Sequence, residues 1–145
     1  MHVSVIVTCY NEERNIRECL ETLINQTYDN DKFEILVIDG GSKDATQSIV
    51  KEFEKVYHNV TLAVEPKRGT AAGRNRGVVT ARYDYVAFID ADCEAPHDWL
   101  STLVKDYVKI QNVIYQEADF YDNDYFAEKR TEIMKLIESV KYYSP

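Results

Sequence analysis

Strand-length runs of β-branched and aliphatic residues alternate with helical patterns along most of the chain, and this alternation restricts the fold more than any other feature. The runs are apolar almost throughout, which is typical of strands that are covered on both faces. They lie at Val3–Val7, Phe33–Ile38, Val60–Val64, Tyr85–Ile89 and, more weakly, Val113–Tyr115. Because strands joined through helices form right-handed βαβ units, the sequence predicts an α/β fold, a Rossmann-like three-layer sandwich with a mostly parallel central sheet.

Helical patterns fill the intervals between the predicted strands. Three of them place apolar residues at the helical period, and the other is rich in small residues. They lie within residues 16–24, 45–56, 71–81 and 100–108. We expect Asn11 to cap the first helix and Ser42 to cap the second, because both side chains accept hydrogen bonds from the first N–H groups of a helix. We interpret Ser42, Asp44 and Thr46 as capping and turn residues rather than ligand contacts.

The length of 145 residues is that of a single domain. We predict that residues 1–115 form its core. Residues 116–145 begin with an acidic and aromatic stretch and continue, from Phe126, with the pattern of an amphipathic helix. Two interpretations of this helix stay open: it packs back on the sheet, or it forms a seam with a second copy of the chain in a homodimer.

The overall charge and the apolar content restrict the classes of partner. The net charge of −8 disfavours nucleic acid, because phosphate backbones are bound by large cationic surfaces. No apolar stretch reaches the roughly 20 residues of a membrane span, and no signal peptide is visible. The cysteines, Cys9, Cys19 and Cys93, fit no metal-ligand spacing, so reduced thiols are expected. We therefore predict a cytoplasmic protein, with peripheral attachment at the cytoplasmic membrane face as an alternative.

Polar residues follow three of the predicted strands. Thr8 and Tyr10 come after the first, Asp39 after the second, and Asp90 and Asp92 after the fourth. The carboxyl ends of parallel strands meet at one edge of a sheet, where ligands bind in open α/β folds. A tyrosine ring can stack on a base, and two carboxylates can hold Mg²⁺ or Mn²⁺ on a diphosphate. The sequence therefore predicts a site for a nucleoside diphosphate and a metal, although an acidic turn is the alternative for the Asp-x-Asp triplet alone.

A local basic cluster stands out in this acidic chain. It consists of Lys67, Arg68, Arg74 and Arg76. Such a cluster suits a small anionic ligand, and a solvated helix start is the alternative interpretation. Two nucleotide-binding patterns are excluded, since the turn after the first strand lacks the glycines of a dinucleotide-binding loop and no P-loop sequence occurs.

Four blocks of this sequence resemble the nucleotide-binding, N-terminal half of a family 2 glycosyltransferase with the GT-A fold. They lie at residues 3–12, 34–46, 73–77 and 88–92, in the order and spacing of that family. The resemblance implies that Thr8, Tyr10 and Asp39 hold the base and ribose, and that Glu12 is an acidic neighbour of that pocket. The base is expected to be uracil.

The resemblance also implies roles at the other motifs. Asp90 matches the first aspartate of the family's Asp-x-Asp, near the ribose and metal, and Asp92 matches the second, a ligand of Mg²⁺ or Mn²⁺. Arg74 matches the family's Ala-Arg-Asn block, in which Gly73 replaces the alanine here. Arg68 is a further candidate for contact with the base or the phosphates.

The activity implied by the resemblance is an inverting, metal-dependent transfer of a sugar from a nucleotide donor, expected to be UDP-linked. The acceptor, a glycan, lipid or protein, is unknown. The base-carrying motif and the Gln-x-x-Arg-Trp motif of the family's acceptor half have no convincing match after Asp92, so we name no catalytic base. Residues 116–145 are either the beginning of an acceptor half or an oligomer contact. The alternative function is a non-catalytic nucleotide- and metal-binding module.

Overall fold

The structure is a computed structural model, and it describes residues 1–117. The elements in chain order are β1 Val3–Cys9, α1 Ile16–Ile24, β2 Phe33–Asp39, α2 Thr46–Val56, β3 Val60–Val64, α3 Thr70–Thr80, β4 Tyr85–Asp90 and α4 Trp99–Glu117. The chain divides into two compact units, Met1–Asp98 and Trp99–Pro145. The four strands belong to the first unit, and α4 belongs to the second. The predicted limit of the core at residue 115 stays a prediction.

The four strands form one parallel sheet in the order β3-β2-β1-β4. Cys9 at the end of β1 pairs with Asp39, and Thr8 pairs with Asp90. Asp39 also pairs with Val64 at the end of β3. The register therefore brings the carboxyl ends of all four strands to one edge, as the sequence predicts, and the α/β fold is confirmed.

Helices cover the two faces of the central strands. On one face α3 packs over β1 and β2, because Gly73 and Gly77 lie one helical turn apart and leave no side chain in the way. A Cβ atom at Gly77 would overlap Ile6 Cγ2. On the opposite face Val5 and Val37 are fully buried, and α1 and α2 pack against each other. Apolar burial on both faces stabilises the central strands β1 and β2.

The sequence predicts that every strand is covered on both faces, but the edge strand β4 is not. Tyr85, Val86 and Phe88 are exposed within the part of the chain that the structure describes. Their apolar character made β4 resemble an interior strand, whereas its position at the edge of the described sheet leaves it open.

Three local predictions are wrong. Residues 113–115 belong to α4 and not to a fifth strand, because no glycine or proline interrupts 99–117 and the apolar spacing there continues the helical period. Asn11 does not cap α1, which begins at Ile16 after Asn15. Ser42 does not cap α2, which begins four residues later at Thr46.

The C-terminal segment of residues 118–145, with its predicted amphipathic helix and homodimer seam, lies outside the described residues. Among residues 1–117, none of the helices is both long enough and apolar enough to span a bilayer.

Candidate functional site

A cavity of about 420 Å³ lies at the carboxyl edge of the sheet. It brings together most of the residues that the sequence singles out as ligand contacts. These are Thr8, Tyr10, Glu12, Arg68, Asp90 and Asp92. Gly40, Glu65, Lys67 and the beginning of α3 complete much of the lining. Asp39 and Arg74 are the two predicted contacts that are not among the lining residues.

Asp39 is fully buried beneath the cavity. Its carboxylate accepts hydrogen bonds from the backbone N–H groups of Gly41 and Ser42, both at 2.9 Å, and from Gln47 Nε2 at 2.6 Å. The Ser42 hydroxyl and, at 3.6 Å, Cys9 Sγ are further donors to it. Asp39 thus fixes the turn that follows β2, and a direct contact between Asp39 and a base stays a prediction.

The loops after β1 and β2 are joined by hydrogen bonds that backbone N–H groups of the first loop donate to side chains of the second. Asn11 N donates to Ser42 Oγ at 2.8 Å, and Glu12 N donates to Thr46 Oγ1 at 2.8 Å. Glu13 N donates to Asp44 Oδ2 at 3.1 Å. Because three successive N–H groups find partners in the second loop, the two loops form one unit.

Two hydrogen bonds that the second loop donates to the first complete this unit. Lys43 N donates to Asn11 Oδ1 at 2.8 Å, and Ala45 N donates to Glu13 Oε2 at 2.9 Å. Asn11 adopts a left-handed φ of 54°, which asparagine tolerates better than most residues. The structure therefore places Asn11 in the link between the loops.

Asp44 has a pKa below its ordinary value. Desolvation opposes this shift, but hydrogen bonds from the Thr46 hydroxyl, the Thr46 backbone and the Glu13 backbone favour the charged carboxylate. The charged form of Asp44 is therefore part of the link between the two loops.

At the β4 side of the cavity two carboxylates are exposed. Asp90 Oδ1 accepts from Thr8 Oγ1 and from Arg74 Nη2, both at 3.3 Å. The Arg74 guanidinium also lies over the Phe88 ring, 5.7 Å from its centroid. Asp92 follows in the turn after β4 and is exposed. Arg74 therefore reaches the site through Asp90 although it does not line the cavity.

At the opposite side the Arg68 guanidinium lies 5.7 Å from the centroid of the Tyr10 ring. Arg68 precedes Gly69, whose φ of 112° favours glycine, and α3 begins directly after it. The loop from β3 to α3 thus carries a cation to the exposed aromatic ring.

Two of the cysteines near the site, Cys9 and Cys19, are buried, and Cys93 is half-buried. Burial, reinforced by the Asp39 carboxylate, raises the pKa of Cys9 far above its ordinary range, and burial raises the pKa of Cys19 to about 12. Burial, with Asp92 beside it, also raises the pKa of Cys93. Since a thiol reacts as the thiolate, none of the three is suited to nucleophilic chemistry. All three are free thiols, as predicted.

Glu65 is the residue that sequence reasoning missed. It follows β3 directly, lines the cavity and is half-buried. The available signal was the rule already applied to the other three strands, namely that a polar residue at a strand's carboxyl end belongs to the site.

Comparison with known proteins identifies the family. The family model described as Glycosyl transferase family 2 matches residues 4–144. The chain belongs to this family. The glycosyltransferase AglE of Haloferax volcanii is 40% identical over 99 residues, which are 68% of this chain and 33% of AglE.

Solved structures of glycosyltransferases share the fold of this family 2 chain. S. aureus TarS 1–349 in complex with UDP matches with a TM-score of 0.70 and 28% identity, over 77% of this chain and 33% of TarS. The mannosyltransferase PcManGT of Pyrobaculum calidifontis, in complex with GDP-Man and Mn²⁺, matches with a TM-score of 0.67 and 36% identity, over 72% of this chain and 31% of PcManGT. The sheet is that of the GT-A fold. The chain spans about a third of the length of these relatives.

Proposed function

We propose that this chain carries the donor site of a glycosyltransferase and binds a nucleoside diphosphate sugar, UDP-linked, together with Mg²⁺ or Mn²⁺. The observation that carries the proposal is the cavity at the carboxyl edge of the sheet, where an aromatic ring, cationic side chains and an Asp-x-Asp pair meet. The likeness to TarS with UDP and to PcManGT with GDP-Man and Mn²⁺ supports it.

The strand order indicates which end of the cavity would hold the base and which the diphosphate. Asp90 and Asp92 lie after β4, at one end of the row, and Glu65 lies after β3 at the other. Three strand spacings separate these ends, or about 14 Å, which leaves room for an extended nucleotide. We call the side with Asp90 and Asp92 the diphosphate end. We call the side with Tyr10, Gly40, Glu65 and Arg68 the base end.

Each predicted residue takes its role from this assignment of the two ends. Tyr10 stacks on the base, and Thr8, in the middle of the row, faces the ribose. Glu12 borders the same pocket, where its Oε2 accepts from Asn15 Nδ2 at 2.8 Å. Asp39 supports these contacts from beneath by holding the turn after β2 in place.

The diphosphate end fits a hard divalent cation. Asp92 with Asp90 would hold it, since one or two carboxylates plus substrate phosphates are the usual ligands of Mg²⁺. Among residues 1–117 no group of three or more His, Cys, Asp or Glu is arranged to hold a metal, so this site is proposed to be completed by the diphosphate. The cation, when bound, neutralises charge that develops on the departing diphosphate.

The chain's own cations assist at that end. The Arg74 guanidinium is held by Asp90 and Phe88, and it adds positive charge beside the expected position of the phosphates. An inverting transfer also requires a carboxylate that deprotonates the acceptor from the opposite face of the sugar, and we assign no residue to this task. The acceptor stays unassigned, and the cytoplasmic location stays a prediction.

Calorimetric titration of UDP tests the proposal. We expect binding in Mn²⁺ that weakens at least tenfold, about 1.4 kcal/mol, in chelator or in Asp92→Asn. Asp84→Asn is the matched control, because Asp84 is exposed and precedes β4 at the opposite edge of the sheet. Binding that is indifferent to chelator and to Asp92→Asn would contradict the metal role, and no binding of any nucleoside diphosphate would contradict the donor site.

A further inference from the structure

The loop that follows β4 carries Asp92 and has no helix or strand of its own. It consists of residues 91–98, and we call it the Asp92 loop. Ala91 and Ala95 are buried, whereas Asp92 is exposed. Because such a loop has no ladder of internal hydrogen bonds, contacts with other parts of the fold determine where its backbone lies.

Two side chains from α1 and the turn after it bind the backbone of this loop. Thr22 Oγ1 accepts from Ala95 N at 3.0 Å. Gln26 Nε2 donates to the backbone oxygen of Pro96 at 2.7 Å. Two successive residues of the Asp92 loop are therefore tied to the same segment of the chain.

Further hydrogen bonds from the same segment extend this attachment to both ends of the loop. Thr27 N donates to the backbone oxygen of His97 at 2.9 Å. Cys19 Sγ donates to the backbone oxygen of Asp90 at 3.8 Å, and Cys93 N donates to that same oxygen at 3.0 Å. The loop is thus attached where it leaves β4 and again after Asp92.

Thr22 and Gln26 are themselves held in place by the helix. The Thr22 hydroxyl donates to the backbone oxygen of Cys19 at 2.8 Å, one turn earlier, while it accepts from the loop. Gln26 is buried, and its Nε2 also donates to the backbone oxygen of Thr22 at 3.1 Å. Each side chain therefore joins a fixed point of the helix to a fixed point of the loop.

The carboxylate of Asp92 depends on this attachment for its position. Its Oδ1 accepts from Cys93 Sγ at 3.6 Å, and a thiol is a weak donor. The backbone that carries Asp92 therefore decides where the carboxylate can lie. Metal ligands have to lie within a few tenths of an ångström of their ideal distances, so a displaced loop would weaken a cation site.

We propose that Thr22 and Gln26 are positioning residues for the cation at the diphosphate end, because they hold the Asp92 loop against α1. This inference rests on the proposed function of the cavity as a site for a nucleoside diphosphate and a metal. Neither residue lines the cavity, so both act through Asp92. The base end lies on other loops, and its affinity for a nucleoside is independent of them.

Three variants separate the hydrogen bonds from the shape of the side chains. Thr22→Val keeps the shape and removes the acceptor for Ala95 N, whereas Thr22→Ser keeps the hydroxyl. Gln26→Met keeps the length and removes the donor to Pro96. Removing a group that orients a metal ligand typically costs tenfold or more in metal affinity.

The experiment is calorimetric titration of UDP into the 145-residue chain, with Mn²⁺ and with chelator, and the ratio of the two affinities is the Mn²⁺ gain. We expect Thr22→Val and Gln26→Met each to lower the Mn²⁺ gain at least about fivefold, and Thr22→Ser to keep it within about twofold. Uridine affinity should stay within about twofold of the wild type in all three variants.

Two control variants distinguish positioning from a general loss of stability. Thr80→Val is the same change at a hydroxyl of α3 that also donates one turn back, to the backbone oxygen of Arg76 at 2.8 Å. Tyr28→Phe removes a hydrogen bond to the backbone oxygen of Met1, at the amino edge of the sheet. A merely structural role of Thr22 and Gln26 would lower the free energy of unfolding, as in Tyr28→Phe, and leave the Mn²⁺ gain intact.

Combination with Asp92→Asn tests whether Thr22 acts through Asp92. In that background Thr22→Val should lower the UDP affinity in Mn²⁺ no further than about twofold. A full additional loss would overturn the inference, and so would an unchanged Mn²⁺ gain in both Thr22→Val and Gln26→Met, or an equal loss for uridine and UDP. If the wild type itself shows no Mn²⁺ gain, the proposed metal role fails and this inference fails with it.

Discussion

At the base end of the cavity the polar groups of the supporting loops satisfy one another, whereas at the diphosphate end two carboxylates face solvent. Asp39, beneath the base end, is fully buried and accepts hydrogen bonds from five donor atoms. Asp90 is about half exposed, and its two contacts, with Thr8 and Arg74, are both 3.3 Å long. One end is organised by the fold, and the other is the end that we propose the ligand completes.

Under the proposed function, this difference follows from what each end would bind. A flat, neutral base is recognised by fixed donors and acceptors, so the loops that hold them gain from internal hydrogen bonds that reduce the cost of ordering on binding. A diphosphate with its cation supplies its own strong charges. Exposed carboxylates avoid the free-energy cost of desolvation that a buried pair of carboxylates without a bound metal would have.

The largest expected effect is on folding, at Asp39. Asp39→Ala leaves half-buried N–H donors of Gly41, Ser42 and Gln47 without their acceptor and empties a fully buried position, and we expect the free energy of unfolding to fall by about 3–4 kcal/mol. Chemical denaturation measures this change.

The same truncation at the other end sharpens the comparison. Asp92→Ala removes an exposed carboxylate, and we expect the free energy of unfolding to change by less than about 0.5 kcal/mol. Equal losses of stability in Asp39→Ala and Asp92→Ala would show that the two ends do not differ in the way described.

A smaller effect is expected from pH at Asp44, in the link between the loops. Its pKa in the folded chain lies below the ordinary value of 3.8. A group with a lowered pKa stabilises the fold above its unfolded-state pKa, and that contribution is lost as the pH falls through the folded-state pKa. The wild type should therefore exceed Asp44→Asn in denaturation midpoint well above pH 3.8, and this excess should shrink below it.

The control for this measurement is Asp84→Asn, the same change at an exposed aspartate outside both loops. An excess of the wild type over Asp44→Asn that stays constant across the whole pH range would contradict a charged link.

The sequence was sufficient for the four strands and for the grouping of most candidate site residues at one edge, because both depend on local patterns. Continuous β-branched runs predicted the four strands, and the rule that ligands bind at the carboxyl ends of parallel strands brought Thr8, Tyr10, Asp90 and Asp92 to one place. The resemblance to family 2 was confirmed by the match over residues 4–144.

Two of the errors arise where hydrogen-bond partners come from another part of the chain. Asn11 and Ser42 have the residue types of helix caps, but the side chain of each accepts from a backbone N–H of the opposite loop, 31 or more residues away. Whether a carboxylate faces a cavity or the interior is also decided by tertiary contacts. The expected base contact of Asp39 stays a prediction, whereas Glu65 was passed over because the rule for polar residues at strand ends was applied only to the other three strands.

The most direct test compares uridine with UDP, each titrated with and without Mn²⁺. If the base end is formed by the fold and the diphosphate end is completed by ligand and cation, Mn²⁺ strengthens UDP binding at least about tenfold and changes uridine binding less than about twofold. A cation effect of equal size on uridine and UDP would contradict this division of the site.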